Sequence, residues 1–224
     1  MSHQAVKKPS ALLAMAALGG ITLLTSTATA QTTGFYLGGG VGPSLTESTS
    51  LREFNGPVSG TRVKFDPGFQ FRFTAGYHIT PWLATELETG VNYNGIKSIT
   101  GATEARGSLV NAPLLANLVV QCPSTKCRLS PYIGGGLGGS SAVLDAHDIT
   151  INGLTLSGSQ SDGVFAYHGF AGLRYHIDNH MSVSLAYRFF GTTAPSWEAD
   201  FGPGRASFGD NQTHSVTASF TYDF

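Results

Sequence analysis

The stretch from His214 to Phe224, HSVTASFTYDF, alternates strictly between two kinds of side chain. Apolar residues occupy one parity, from Val216 to Phe224, and polar residues occupy the other, from Ser215 to Asp223. A repeat of two residues predicts a β-strand with one apolar and one polar face. The apolar face continues to the last residue, which is aromatic. This pattern is typical of a barrel strand that faces lipid on one side and a polar lumen on the other.

The first 30 residues have the three parts of a secretory signal peptide. Lys7 and Lys8 come first, residues 11–24 are apolar, and Ala28-Thr29-Ala30 provides a cleavage site. The apolar part is shorter than the roughly 20 residues that a spanning helix needs. We therefore predict that residues 1–30 are cleaved and that residues 31–224 form the mature domain.

Composition also favours strands in lipid over a helical enzyme. Only 12% of the residues are charged, against about 25% in soluble domains. Removing Lys7 and Lys8 with the signal peptide takes the formal net charge from −1 to −3. Nucleic-acid binding, which needs a clustered basic surface, is not expected, and no sequence motif predicts a cofactor.

Seven further segments show strand signals, and together with the terminal stretch they predict eight strands. The others are 35–42, 68–79, 83–93, 109–120, 129–138, 164–177 and 181–190. Glycine obscures which side faces outward in 35–42 and 129–138. The predicted fold is all-β, an eight-stranded antiparallel up-and-down transmembrane β-barrel. Closure is required because an open sheet edge in lipid leaves backbone groups without partners.

The connections between these strands alternate in length. Three are short, at 80–82, 121–128 and 178–180, and four long loops are expected near 43–65, 94–108, 139–163 and 191–213. Short turns on one rim and long loops on the other are typical of outer-membrane barrels. The expected location is therefore the cell outer membrane, with both termini in the periplasm and the long loops outside the cell.

Charged residues of both signs share the polar parity of the strands. They are Arg72, Glu86, Glu88, Arg174 and Arg188. A soluble barrel of the lipocalin type would place this face in water and bury the aromatic face. Mixed charges can be buried as a paired network more easily than an aromatic wall can be left in water. We therefore predict a lumen charge network, with Thr74 opposite Glu88 and Arg72 diagonal to it.

Several stretches resemble the family of small eight-stranded outer-membrane proteins that includes opacity-type proteins and the OmpA-like barrel. They are GFYLGGG at 34–40, NAPLLAN at 111–117, PYIGGG at 131–136 and MSVSLAYRFFG at 181–191. The resemblance covers the strands and implies a structural or surface-interaction role without a periplasmic domain. It implies outer-membrane lipids as partners, an extracellular ligand or host surface at the loops, and the barrel assembly machinery as the reader of Phe224.

Two cysteines, Cys122 and Cys127, lie in the second short connection. Behind a signal peptide the compartment is oxidising, so a local disulfide is expected. A two-cysteine metal site is the alternative, but further ligands are not found nearby.

Catalysis is not expected, and neither is a metal site. His214 and Ser215 are adjacent on a strand and should point to opposite faces, which places them poorly as a dyad. Asp145, His147 and Asp148 share a Gly/Ser-rich loop, where polar residues are usually just solvated. A lipid A-modifying enzyme is the third and most distant possibility. The sequence lacks the segments typical of lipid A deacylases and palmitoyl transferases. A narrow ion channel stays open as the main alternative, although eight strands leave an interior that side chains can fill.

Overall fold

The computed structural model describes residues 33–54, 62–100, 102–123, 128–151, 154–194, 196–199 and 204–224. The predicted signal peptide at 1–30 and Cys127 lie outside these residues. Within the described ranges, we find no helix with the length and apolar character to span a membrane.

Twelve β-strands make up the described chain. They are β1 (Gly34–Thr46), β2 (Thr49–Phe54), β3 (Arg62–Phe65), β4 (Gly68–Thr80), β5 (Leu83–Ile99), β6 (Ala102–Gln121), β7 (Leu129–Ile151), β8 (Leu154–His176), β9 (Met181–Thr192), β10 (Ser196–Ala199), β11 (Gly204–Phe208) and β12 (Asn211–Asp223).

Eight of these strands close into a barrel. Around the wall the order is β5, β4, β1, β12, β9, β8, β7 and β6, and β6 pairs with β5 again to complete the ring. Every pairing is antiparallel. The terminal strand β12 thus lies between β1 and β9, with no free edge. This confirms the predicted eight-stranded antiparallel barrel.

Two of the expected long loops are largely β-strand. Strand β5 runs on to Ile99 and β6 starts at Ala102, while β7 runs on to Ile151 and β8 starts at Leu154. The ranges 94–108 and 139–163 therefore extend the barrel wall. Residues such as Thr, Val and Ile favour extended backbone there, and pairing satisfies the backbone groups whether or not lipid is present.

The other two long connections each contain two short strands. Strands β2 and β3 lie within 43–65, and β10 and β11 lie within 191–213. They form a sheet in the order β10, β11, β2, β3, which joins the end of β5 through β3. The first and fourth connections are thereby joined to each other on the rim opposite the short turns.

The structure resolves the facing of the two glycine-rich strands. In β1, Tyr36 points into the lumen and is 2% exposed, whereas Phe35 points outward and is 69% exposed. In β7, Tyr132 is buried and Ile133 is exposed. Glycine on neighbouring strands makes room for the inward rings: a Cβ at Gly76 would lie 2.2 Å from Cζ of Tyr36.

Candidate functional site

All five charged residues predicted for the lumen do lie on its inner wall. Glu86, Glu88, Arg174 and Arg188 are buried, and the side chain of Arg72 is 11% exposed. Strand alternation explains the placement, because residues of the opposite parity, such as Phe71 and Leu87, are exposed on the outer wall.

Glu88 is the centre of the charge network. Its Oε1 lies 2.5 Å from Nη2 of Arg188, and its Oε2 lies 3.2 Å from Nη1 of Arg72. Thr74 stands directly opposite Glu88 in the register of β4 and β5, with Arg72 on the diagonal. Arg72 also donates through Nη2 to Oγ of Ser219 at 2.7 Å. One carboxylate thereby joins strands β4, β5 and β9 across the lumen.

His168 links this centre to a second carboxylate. Nη2 of Arg188 donates to Nδ1 of His168 at 2.8 Å, so Nδ1 is an acceptor and the ring proton is assigned to Nε2. Nε2 then donates to Oδ1 of Asn117 at 2.7 Å. The amide of Asn117 in turn donates to Glu86 and Glu88, each at 3.4 Å. With this assignment, each hydrogen bond in the series from Arg188 to the two glutamates has one donor and one acceptor.

Glu86 and Arg174 do not form an ion pair with each other. Oε1 of Glu86 accepts a hydrogen bond from the Tyr36 hydroxyl at 2.8 Å. Arg174 donates to Oε1 of Gln121 at 2.7 Å and lies over the Tyr132 ring at 5.0 Å. Among the described residues, neither has an oppositely charged partner within ion-pair distance. The five residues thus divide into a central cluster and a separate arginine nearer the short turns.

Sequence reasoning placed Asn117 and His168 on the lumen face but did not connect the neutral members of the network to the charged ones. Parity was the available signal for Asn117, His168 and Ser219, whereas glycine obscures it in the strand of Tyr36. Their roles depend on height along the barrel and on which strands face each other across it. Neither quantity can be read from alternation alone.

The remaining space beside Glu88 is small. A cavity there is lined by Gln70, Asn92, His168, Arg188 and Phe190, among others, and has room for about one water molecule. Cζ of Arg188 also lies 4.6 Å from the centre of the Phe170 ring. The ring occupies lumen space next to the guanidinium group. Nε of Arg72 and Nη1 of Arg188 are buried without a hydrogen-bond partner in the described structure. A single water could serve such donors.

The residues considered for catalysis are separated. His214 faces outward and Ser215 is buried in the lumen, so they cannot act as a dyad. On the outer wall, Nδ1 of His214 lies 2.6 Å from the Tyr187 hydroxyl and its Nε2 lies 3.0 Å from Glu47. These contacts connect β12 to β9 and to the residue that follows β1.

The metal and disulfide predictions fall mainly on undescribed parts of the chain. The side chains of Asp145, His147 and Asp148 are outside the described structure, and so is Cys127. Elsewhere in the described chain, no group of three potential metal ligands comes together. The Cys122–Cys127 disulfide stays a prediction.

Comparison with known proteins agrees with this architecture. The family model for the outer membrane protein beta-barrel domain matches residues 12–224. OprG from Pseudomonas aeruginosa has a TM-score of 0.60 at 17% identity, covering 85% of this chain and 96% of that chain. Neisserial surface protein A has a TM-score of 0.55 at 15% identity, covering 85% and 97%.

Identities this low indicate a shared fold only. Among curated protein sequences, no significant match is found. The family match, by contrast, extends over the whole barrel, and all eight wall strands fall within it. The chain therefore belongs to the family of outer membrane protein beta-barrels, integral proteins of the outer membrane.

Proposed function

We propose that this protein is a closed barrel with a structural or surface-interaction role, and that its lumen is plugged by its own side chains. The observation that carries the proposal is the pairing of Glu88 with both Arg72 and Arg188. The contact with Arg188 runs from β5 to β9 across the lumen, and the contact with Arg72 on the adjacent strand holds Glu88 beside it, at a level where about one water molecule fits. A hydrated ion would have to break the Arg188–Glu88 contact to pass.

Charge balance supports the plug. The central cluster contains two arginines and two glutamates, so its formal charge is zero. Buried charges are tolerated when they are paired and their hydrogen-bonding groups are satisfied. An eight-stranded barrel is also narrow enough for side chains to fill. The lumen then stabilises the barrel, and interactions with other molecules fall to the segments beyond the membrane.

The proposed orientation has both termini in the periplasm. Its support is the distribution of the connections: β4–β5, β6–β7 and β8–β9 are joined near one rim, and the sheet of β2, β3, β10 and β11 lies at the other. Proposed partners are outer-membrane lipids along the wall, an extracellular ligand or host surface at the long connections, and the barrel assembly machinery at Phe224, whose side chain is exposed.

The proposal includes secretion with cleavage of residues 1–30 and no enzymatic activity. The separation of His214 from Ser215 supports the second point for that pair. The match to outer membrane barrels is consistent with both, because such proteins are secreted and many act without chemistry.

Single-channel conductance tests the plug. Residues 31–224 are refolded, checked for heat-modifiable migration on a gel, and inserted into a planar bilayer. We expect folded protein without conductance steps. Reproducible steps from the same folded sample would contradict the plug.

A narrow channel for small ions or solutes is the second candidate. The observation that favours it is the buried, unpartnered Nε of Arg72 and Nη1 of Arg188 beside the small cavity. If water there belongs to a continuous path, Glu86→Gln and Glu88→Gln should abolish the steps or reverse their ion selectivity. If neither substitution affects the conductance steps, the ions do not pass along the part of the lumen lined by Glu86 and Glu88.

A further inference from the structure

Three basic side chains lie on the outward face of the sheet formed by β3 and the end of β5. This part of the sheet extends past the apolar outer wall of the barrel. Arg62 and Lys64 are on β3, and Lys97 is on β5. All three are exposed. We call them the rim cations.

Strand register places them on one face. Lys64 stands opposite Ser98, which is exposed, and Val63 stands opposite Ile99; both members of this second pair are buried. The sheet therefore has an apolar inner face and a polar outer face at this point. Arg62 has the same parity as Lys64 and shares the outer face.

Lys97 continues the outward parity of β5 from the lipid-facing wall. Tyr93 lies on that wall and stacks on Phe69, with ring centroids 5.4 Å apart. Lys97 is four residues further along, which is about 13 Å at the rise of a strand. With a strand tilt of about 40°, this is roughly 10 Å above the aromatic pair. Aromatic residues on the outer wall are typical of the membrane interface, so a cation at this distance beyond Tyr93 is expected beside the lipid headgroups and outside the hydrocarbon core.

Described carboxylates neutralise the rim cations little. Nζ of Lys97 lies 3.8 Å from Oδ1 of Asp66, an exposed pair of the kind that contributes little. Neither Arg62 nor Lys64 has a carboxylate within ion-pair distance in the described structure. Counting only side chains that the structure describes, this outer face carries three cations and one carboxylate, beyond a surface that faces lipid.

We propose that the rim cations bind the phosphate groups of the phosphorylated glycolipid in the outer leaflet. The inference rests on the proposed orientation, which puts this rim outside the cell. Charge complementarity selects an anionic headgroup, and continuity with the lipid-facing wall selects a membrane lipid over a soluble anion. Basic residues beside a membrane span each strengthen binding to anionic lipid by about five-fold.

The test uses the full chain, expressed with its own N-terminus, purified from the outer membrane and held in a neutral detergent. It is titrated with bisphosphorylated lipid A and with the same lipid lacking both phosphates. We expect at least ten-fold tighter binding of the phosphorylated lipid. The neutral variant R62Q/K64Q/K97Q should lose this preference.

A matched variant, R62K/K64R/K97R, keeps all three charges and should keep the preference, which separates charge from folding. Equal affinity for the two lipids in the native chain would overturn the proposal. So would an equal loss in the charge-keeping variant, or equally tight binding of phosphatidylglycerol, which would indicate a general response to anionic surfaces. Because a micelle has no inner or outer leaflet, failure here is distinguishable from failure of the proposed orientation.

Discussion

Glu88 shares its charge with two arginines, Arg72 on the adjacent strand and Arg188 across the lumen. Glu88→Gln keeps the shape of the side chain and removes its charge, leaving Arg72 and Arg188 with Glu86 as the nearest acid of the cluster. Breaking a buried ion pair by removing one partner typically costs 3–5 kcal/mol. We expect the free energy of unfolding, measured by urea titration in detergent, to fall by about 3 kcal/mol.

Glu47→Gln provides the control for that substitution. Glu47 is also a hydrogen-bonded carboxylate, but its side chain is 59% exposed. Substitutions at exposed sites usually change stability by less than about 0.5 kcal/mol. Equal effects of the two substitutions would mean that the lumen network does not stabilise the barrel.

The charged residues of the network illustrate what a sequence can predict at this scale. Alternation identifies the face, so Arg72, Glu88 and Arg188 could all be assigned to the lumen. The length of the short turn sets the register of the two strands that it joins. The Arg72–Glu88 contact between adjacent strands could therefore be anticipated. The Arg188–Glu88 contact spans 100 residues and depends on barrel closure, which alternation does not encode.

A glycine on β4 leaves room for the ring of Tyr36 on β1. Gly76 stands opposite Tyr36, and a Cβ there would lie 2.2 Å from Cζ and 2.5 Å from the hydroxyl oxygen of the tyrosine. Gly76→Ala should displace the ring and weaken its hydrogen bond to Glu86. Overpacking of this kind costs about 1–3 kcal/mol. The melting temperature in detergent should fall accordingly.

Gly95→Ala is the matched control on strand β5. A Cβ at Gly95 meets nothing within 4 Å, so the substitution should leave the melting temperature unchanged or slightly raised. If Gly76→Ala behaves like Gly95→Ala, the Tyr36 ring has room to move and the glycine is not required by packing.

Strand ends were harder to predict than strand centres. Within lipid the outward residues must be apolar, which makes the alternation visible. Beyond it, Lys97 and Ser98 are polar and both exposed, because a register shift against β3 interrupts the alternation of β5 at this point. The two faces of β5 therefore no longer differ clearly in sequence. Backbone pairing continues regardless, with β5 against β3, β6 against β7 and β7 against β8, so these strands extend past their predicted ends.

At the level of the whole molecule, the assignment of rims to the two sides of the membrane depends on the connections. The alternating short and long connections require the termini to share a side with the short turns. Which side that is follows from the general arrangement of outer-membrane barrels. The proposed binding of outer-leaflet lipid at Arg62, Lys64 and Lys97 depends on it as well.

Cysteine labelling in intact cells measures this orientation. Ser98→Cys and Asn179→Cys each place one thiol at an exposed position, on the long-connection rim and in a short turn respectively. Both are built with Cys122→Ser and Cys127→Ser, which remove the two native thiols. A membrane-impermeant maleimide should label position 98 in whole cells, and position 179 only after the outer membrane is permeabilised.

Heat-modifiable migration of each variant verifies that the barrel has folded, so a missing label reports position and not misfolding. The reverse labelling pattern would place both termini outside the cell and the rim cations against the inner leaflet. The charge-dependent preference for phosphorylated lipid in micelles would then survive as a property of the surface, while its assignment to the outer leaflet would be wrong. Labelling at both positions in intact cells would instead indicate a damaged membrane, which a periplasmic marker protein detects in the same sample.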